Sequence, residues 1–91
     1  MNPTTESLIV NVSPNPFISN FKVSVLSTQE EDSSLNLYNV HGQAMQRTAL
    51  TLRTGINEID MNGEELPSGF YYLHYRTVVS RIFIIIRLVK N

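Results

Sequence analysis

The sequence contains no cysteine and no tryptophan, and only four glycines and four prolines among 91 residues. Without cysteine the chain cannot form disulfides or thiolate metal sites, so its stability must come from apolar burial and hydrogen bonding. No run approaches the roughly 20 apolar residues of a membrane-spanning helix, and the strongest run lies between Arg81 and Arg87. The length predicts one small domain, too small for a deep enclosed pocket or a large enzyme.

The charged residues are unevenly distributed along the chain. Residues 66–91 hold four of the seven basic side chains and none of the eight acidic ones. One interpretation is that Arg76, Arg81, Arg87 and Lys90 keep an apolar segment soluble and pair with acidic residues on neighbouring strands. The other is a docking face for an anionic partner. A pI near 6.0 and the absence of a run of basic residues argue against nucleic-acid binding.

Apolar residues recur at every second position in short segments separated by turn-forming residues, which indicates antiparallel β-structure. We predict seven strands, at residues 8–12, 21–25, 35–40, 44–52, 56–61, 70–77 and 82–89. Seven short strands favour two facing sheets over a wide barrel. The fold class is therefore all-β, a seven-stranded antiparallel immunoglobulin-like β-sandwich spanning residues 8–91, with residues 1–7 as a flexible segment.

The residue types between the predicted strands indicate where turns and loops occur. Pro14 and Pro16 end the first strand because each lacks a backbone donor. The polar residues 29–34 are interpreted as a solvated loop, and His41 and Gly42 as a hairpin turn. The pattern leaves open which face of the fifth strand points inward.

The last two predicted strands carry the strongest β signal. Alternation places Tyr71, Leu73 and Tyr75 on one side of the sixth strand and Phe70, Tyr72 and His74 on the other. The inward residues of the seventh strand are Ile82, Ile84, Ile86 and Leu88. Because Phe83 and Ile85 are also apolar, that strand should be buried on both sides or covered by a partner. Edge pairing between copies of the chain is another possible consequence.

Five short motifs occur in order: V-S-P-N-P-F at residues 12–17, L-Y-N-V-H-G-Q at 37–43, G-I-N-E-I-D-M at 55–61, L-P-S-G-F-Y-Y-L at 66–73 and R-L-V-K at 87–90. Together they resemble the C-terminal sorting domain of type IX (Por) secretion cargo proteins of Bacteroidetes. The resemblance covers residues 8–90, and its specificity comes from the order and spacing, since each motif alone is common. The motif residues are Pro14, Asn15, Pro16, Gly42, Leu66, Pro67, Gly69, Tyr71, Leu73, Arg87, Leu88, Val89 and Lys90.

The resemblance implies a sorting signal that has no catalytic residues, metal or cofactor. It would be joined to an upstream cargo domain, be recognised by the outer-membrane secretion machinery, and reach the surface or the medium through the periplasm and outer membrane. A sortase-like peptidase of the host cell would process many such cargoes. Most motif residues would define the fold, with Tyr71, Leu73 and Leu88 in the core. The last strand and Lys90 are the best contact candidates, since an edge strand can accept a partner strand.

Two segments depart from the family pattern. Family members often carry a glycine in the hairpin before the last strand, whereas residues 77–81 contain none. The segment Gly63-Glu64-Glu65 is one or two residues longer than usual, and we interpret it as a loop without structural consequence.

The chain offers little for catalysis or metal binding. His41 lies in a predicted turn and His74 on a strand, neither in a nucleophile elbow nor at metal-ligand spacing. The segment 60–65 contains three acidic residues beside a glycine, but it lacks the pattern of an EF-hand calcium loop. The alternative function is a carbohydrate-binding or adhesion module that uses Phe70, Tyr71, Tyr72 and Tyr75 as a stacking platform.

Overall fold

The computed structural model describes residues 9–91 and forms seven antiparallel strands. The strands are β1 (Val10–Ser13), β2 (Asn20–Ser27), β3 (Glu31–Asn39), β4 (Ala44–Leu52), β5 (Gly55–Asn62), β6 (Gly69–Thr77) and β7 (Phe83–Lys90). The predicted flexible segment, residues 1–7, lies outside the described residues, as does Leu8. Within residues 9–91, no helix is long and apolar enough to cross a membrane.

The strands form two sheets that face each other. One sheet has the order β1-β2-β5 and the other the order β4-β3-β6-β7. The predicted immunoglobulin-like sandwich is confirmed. Strands β1 and β7 are the edge strands on one side of the sandwich, and the segment after β1 crosses to the second sheet, where Phe17 forms a parallel bridge with Lys90.

The core is built by the alternating residues that point between the sheets. From the first sheet it contains Phe21, Val23 and Val25, and from the second Leu35, Leu37, Leu73, Tyr75 and Leu88. The predicted inward positions of β6 are confirmed, because Tyr71, Leu73 and Tyr75 are all buried. In β7, Ile84 and Leu88 are buried, and Ile82 and Ile86 pack against the core. Strand β5, whose inward face the sequence left open, turns Ile59 and Met61 inward.

The predicted loop at residues 29–34 is wrong for residues 31–34. Strand β3 begins at Glu31, and both Glu31 and Ser33 are buried on the inner face. The carboxylate of Glu31 accepts hydrogen bonds from the backbone N–H groups of Val79 (3.0 Å) and Ser80 (2.9 Å) and from the Ser80 hydroxyl (2.6 Å). A polar side chain can occupy an inward position when its acceptors are satisfied in this way.

Two asparagine side chains organise the turns around β4. The Asn39 carboxamide oxygen accepts the N–H groups of His41 (2.9 Å) and Gln43 (3.0 Å), and Gly42 in this hairpin has φ +80°. Asn57 bonds both the N–H and the carbonyl of Arg53 across the next turn. Short polar side chains that replace missing backbone partners are typical of tight turns. The hairpin predicted at His41 and Gly42 is confirmed.

Candidate functional site

The Pro-Asn-Pro segment holds the outer edge of β7. The Asn15 side chain donates to the carbonyl of Arg87 (3.1 Å) and accepts the N–H of Val89 (3.0 Å). Phe17, two residues after Asn15, donates its N–H to the carbonyl of Val89 (2.9 Å), and its carbonyl accepts the N–H of Asn91 (2.9 Å). Pro14 and Pro16, both preceded by cis peptide bonds, flank this asparagine. The segment therefore acts as a short additional strand on the last third of β7.

The Phe17 side chain fills the end of the core that this segment closes. It is fully buried, and its ring centroid lies 4.7 Å from that of Phe21. A Cβ atom added to Gly63 would lie 2.5 Å from Cε2 of Phe17 and 2.9 Å from the backbone oxygen of Ser19. Residues 63–65 form a loop, as predicted, but the expectation that this loop has no structural consequence is wrong, because a side chain at position 63 would collide with Phe17 and with the Ser19 backbone.

Lys90 belongs to the same cluster. Its side chain is buried, and its ammonium group donates to the carbonyls of Gly63 and Glu64 (3.2 Å to the latter) and lies 5.6 Å from the centroid of Phe17. Hydrogen bonds to carbonyl oxygens and an aromatic face offset the cost of burying a cation. In this fold the Lys90 ammonium is bonded within the domain.

The Leu-Pro-Ser-Gly motif and Tyr71 form a corner between β5 and β6. The Tyr71 hydroxyl donates to the carbonyl of Pro67 at 2.5 Å, while Leu66 is buried and Gly69 has φ +146°. A tyrosine near the start of this strand that bonds back to the preceding corner is a recurring feature of immunoglobulin-like sandwiches. Burial raises the pKa of Tyr71, so the hydroxyl keeps its proton as the donor.

The strand registers bring the sequence motifs to one end of the sandwich. Asn39, before the Gly42 hairpin, pairs with Tyr71, and Tyr71 pairs with Leu88. The crossing segment at residues 14–17 meets the same end through Lys90. At this end of the sandwich, most motif residues make contacts within the fold. Leu73 and Leu88 are core residues, and Asn15, Gly69, Tyr71 and Lys90 lie in turns or edges that they stabilise.

Within residues 9–91, the other part of the β7 edge is unpaired. The four groups bonded by residues 15 and 17 belong to Arg87, Val89 and Asn91, so the odd-numbered residues direct their backbone groups away from β6. Because this direction alternates along an antiparallel strand, the N–H and C=O groups of Phe83 and Ile85 also point outward, and no residue among 9–91 bonds them. A groove of about 310 Å³ runs beside this edge, between β7 and residues 10–12 of β1.

The outer face of the four-stranded sheet carries exposed aromatic and cationic side chains. The ring centroid of His74 lies 4.4 Å from that of Tyr38 and 5.5 Å from that of Phe83. The guanidinium of Arg76 lies 4.9 Å from the centroid of Phe83, and that of Arg87 lies 5.4 Å from the centroid of Phe70. Burial, and secondarily Arg76, lowers the pKa of His74, so the imidazole is neutral at pH 7.

The predicted pairing of the four late cations with acidic residues is wrong for the described residues. Between residues 9 and 91 the ion pairs are those of Lys22 with Glu58 (3.3 Å) and Asp60 (4.0 Å), on the other sheet. Of the four aromatic residues proposed as a sugar platform, Tyr71 and Tyr75 are buried in the core. Only Phe70 and Tyr72 lie on the outer face.

Glu31 makes the stability of the domain depend on pH. The hydrogen bonds from the Ser80 backbone and hydroxyl hold the pKa of this carboxyl below its ordinary value of 4.5. A carboxyl whose pKa is lower in the folded state stabilises the fold above the unfolded pKa, and the stabilisation is lost as pH falls through the folded pKa. We expect the urea midpoint to fall as pH drops below about 4.5, and Glu31→Gln to flatten that decline.

Glu30→Gln is the matched control, since it removes the same charge from the exposed neighbouring residue. Urea unfolding followed by circular dichroism at pH 7, 5, 4 and 3 measures the effect. If Glu31→Gln and the wild type lost stability in parallel over this range, Glu31 would not be the titrating group.

These features define an immunoglobulin-like sandwich whose recurring motifs lock one end, with an open strand edge and a cationic, aromatic outer face. A family model described as the secretion system C-terminal sorting domain matches residues 11–87. The chain belongs to this family, which carries the type IX sorting signal, and the resemblance drawn from the motifs is confirmed. Membership indicates export to the cell surface or secretion. A search of curated proteins found no match.

Proposed function

We propose that the domain is a folded, non-enzymatic address that the outer-membrane machinery of type IX secretion recognises through the open edge of β7. The observation that carries the proposal is the division of that edge into a covered part and a free part. Asn15 and Phe17 occupy the outward backbone groups from Arg87 onward, while those of Phe83 and Ile85 have no partner in the part of the chain that the structure describes.

A strand added to this edge would form main-chain hydrogen bonds with the free groups. Such pairing gives affinity through the backbone, while pockets for alternate side chains give specificity. The groove beside β7, lined by Val10, Val12, Ile85 and Ile86 among others, receives one face of such a strand. In this scheme an upstream cargo is carried through the periplasm and outer membrane, and the sortase-like peptidase that acts on it belongs to the cell's machinery.

The test is export of a reporter fused to residues 1–91 in a bacterium with this secretion system. Ile85→Pro removes an outward N–H without removing a bond to β6, and edge strands tolerate proline at such positions. We expect export of Ile85→Pro to fall at least about tenfold, the loss that follows from about 1.4 kcal/mol of binding energy.

Ile85→Thr is the control at the same position, because it shortens the side chain but keeps the N–H group and the β-branched shape. It should be exported at least about fivefold better than Ile85→Pro, so that the difference between the two variants reports the lost N–H group and not the altered side chain in the groove. Thermal unfolding of the purified domains must show both variants folded. If Ile85→Pro does not fold, Phe83→Pro at the first residue of the strand replaces it. Normal export of a folded proline variant would exclude the edge as the contact.

A further inference from the structure

We infer that the outer face of the four-stranded sheet is a second interaction surface, which fits an acidic surface of another protein. This outer face is defined by Tyr38 on β3, by Phe70, Tyr72, His74 and Arg76 on β6, and by Phe83, Ile85 and Arg87 on β7. It differs from the β7 edge because side chains, and not backbone groups, would make the contacts. The inference stands whether or not the edge is the contact for export.

The first argument is the amount of apolar surface left open. Phe70, Phe83 and Ile85 are each nearly half exposed (48%, 49% and 48%), although they lie in or beside the most apolar strand of the molecule. Their register neighbours Val89, Arg76 and His74 are on the same face and leave about half of each apolar side chain exposed. Single exposed apolar residues are ordinary, whereas a contiguous group framed by polar residues marks an interaction surface.

The second argument is charge. Arg76 and Arg87 have no acidic partner among residues 9–91, and each guanidinium lies over an exposed phenylalanine ring. Asp32, the acidic residue at the border of this face, already accepts a hydrogen bond from Thr51 (3.1 Å). The face therefore presents unpaired positive charge, which attracts carboxylates.

The third argument is shape. At one end of the face, Arg76, Thr77, Arg81, Ile82 and Phe83 line an open depression of about 310 Å³. Two arginines around an apolar floor suit one aspartate or glutamate side chain as an anchor. The rest of the face is a sheet surface, with strands about 30 Å long across a width of roughly 14 Å for its three strands. This area, about 400 Å², is in the range of weak, transient interfaces and is smaller than the roughly 800 Å² per partner of a standard one.

Composition favours a protein over a glycan. Arginine and aromatic residues are enriched in the centres of protein interfaces and among the residues that dominate their affinity. A pyranose ring stacks on an open aromatic face, and here guanidinium groups lie over the rings of Phe70 and Phe83. The occupant we assign is an acidic polypeptide, and an acidic polysaccharide is the competing outcome of the test.

The test titrates ¹⁵N-labelled chain of residues 1–91 with poly-L-glutamate or with polygalacturonate, and follows amide chemical shifts. We expect poly-L-glutamate to shift residues 70–76 and 83–87, and to bind more weakly as salt rises. The double variant Arg76→Gln/Arg87→Gln should weaken this binding at least about tenfold, as expected when two charge-assisted contacts are lost. Phe83→Ser should weaken it by about threefold or more without changing the charge.

The matched control, Lys22→Gln/Arg53→Gln, removes two cations from outside this face. Binding that weakens equally in both double variants would show attraction to net charge alone and would overturn the inference. Tighter binding of polygalacturonate than of poly-L-glutamate on the same residues would assign the face to a glycan instead. The absence of shifts on β6 and β7 with either probe would also overturn it. All the substituted side chains are exposed, so each variant should fold.

Discussion

Deleting Val89–Asn91 is expected to remove about 5 kcal/mol of the stability of the domain. The deletion removes five hydrogen bonds that join the last residues to Asn15, Phe17, Gly63 and Glu64. At about 1 kcal/mol net for each bond the loss is about 5 kcal/mol. A domain of this length has a total stability of roughly 5–14 kcal/mol. Urea unfolding followed by circular dichroism should therefore show a midpoint lowered by about one third or more, and a midpoint near zero denaturant if the wild-type stability is at the lower end of that range.

The control for this deletion is Val89→Ala, which keeps every backbone donor and acceptor of the last strand. It trims a half-buried side chain and should cost about 1 kcal/mol. A truncated chain that unfolds with nearly the wild-type midpoint would show that the contacts of Asn15, Phe17 and Lys90 with the last strand contribute little.

This expectation bears on how export experiments are interpreted. The last residues are both part of the family motif and part of the contacts that close the sandwich, so their deletion weakens the fold together with any address. Loss of export after such a deletion would not distinguish recognition of the strand from recognition of a folded domain. The comparison of Ile85→Pro with Ile85→Thr makes this distinction, because both leave these contacts intact.

The strands and their inward faces were predictable because alternation is a local property. Each of the seven predicted strands overlaps a strand of the structure, and Tyr71, Leu73 and Leu88 occupy the core as expected. The error at residues 29–34 has a physical origin. A glutamate in a polar run is expected to lie at the surface. Glu31 is buried because it accepts hydrogen bonds from Val79 and Ser80, which lie 48 and 49 residues away in the chain, and a local pattern does not contain this information.

In the hairpin before β7, a residue other than glycine adopts the left-handed backbone conformation that usually favours glycine. Family members often carry a glycine there, which the sequence lacks, and in the structure Arg81 adopts the left-handed conformation with φ 57°. The contacts of Glu31 with Val79 and Ser80 hold the preceding residues, and the Thr77 hydroxyl accepts the N–H of Ile82 at 2.9 Å. These contacts offset the strain of about 1 kcal/mol that a non-glycine residue has in this region.

The candidate site was less predictable than the fold. The open part of β7 could be anticipated as an edge strand, but its division by Asn15 and Phe17 depends on where the crossing segment docks. From the sequence, Lys90 is expected to be an exposed cation near the end of the chain. Its burial could not be predicted, because its partners are carbonyls of a loop 26 and 27 residues earlier. The arrangement of Arg76 and Arg87 over Phe83 and Phe70 follows from strand register, which the sequence pattern alone leaves undetermined.

Gly63→Ala is expected to destabilise the domain by about 2–3 kcal/mol, the cost of forcing extra volume into a packed interior. The added methyl carbon would meet the Phe17 ring at 2.5 Å and the Ser19 carbonyl oxygen at 2.9 Å. Moving this segment also strains the bond from the Gly63 N–H to the Ser19 carbonyl (2.8 Å). For a domain of this size the melting temperature should fall by about 10–20 °C, measured by differential scanning calorimetry.

Two further variants separate the steric clash from the general effect of losing a glycine. Gly42→Ala is the first, because its φ is +80° and no atom lies within 4 Å of the added carbon; it should cost only the backbone strain, about 1 kcal/mol. The second is Phe17→Leu, which removes the aromatic edge facing position 63. In that background Gly63→Ala should cost about 1 kcal/mol less than in wild type, since sites in contact are not additive. Equal costs in both backgrounds would mean that the Ser19 carbonyl, and not the ring of Phe17, requires glycine at this position.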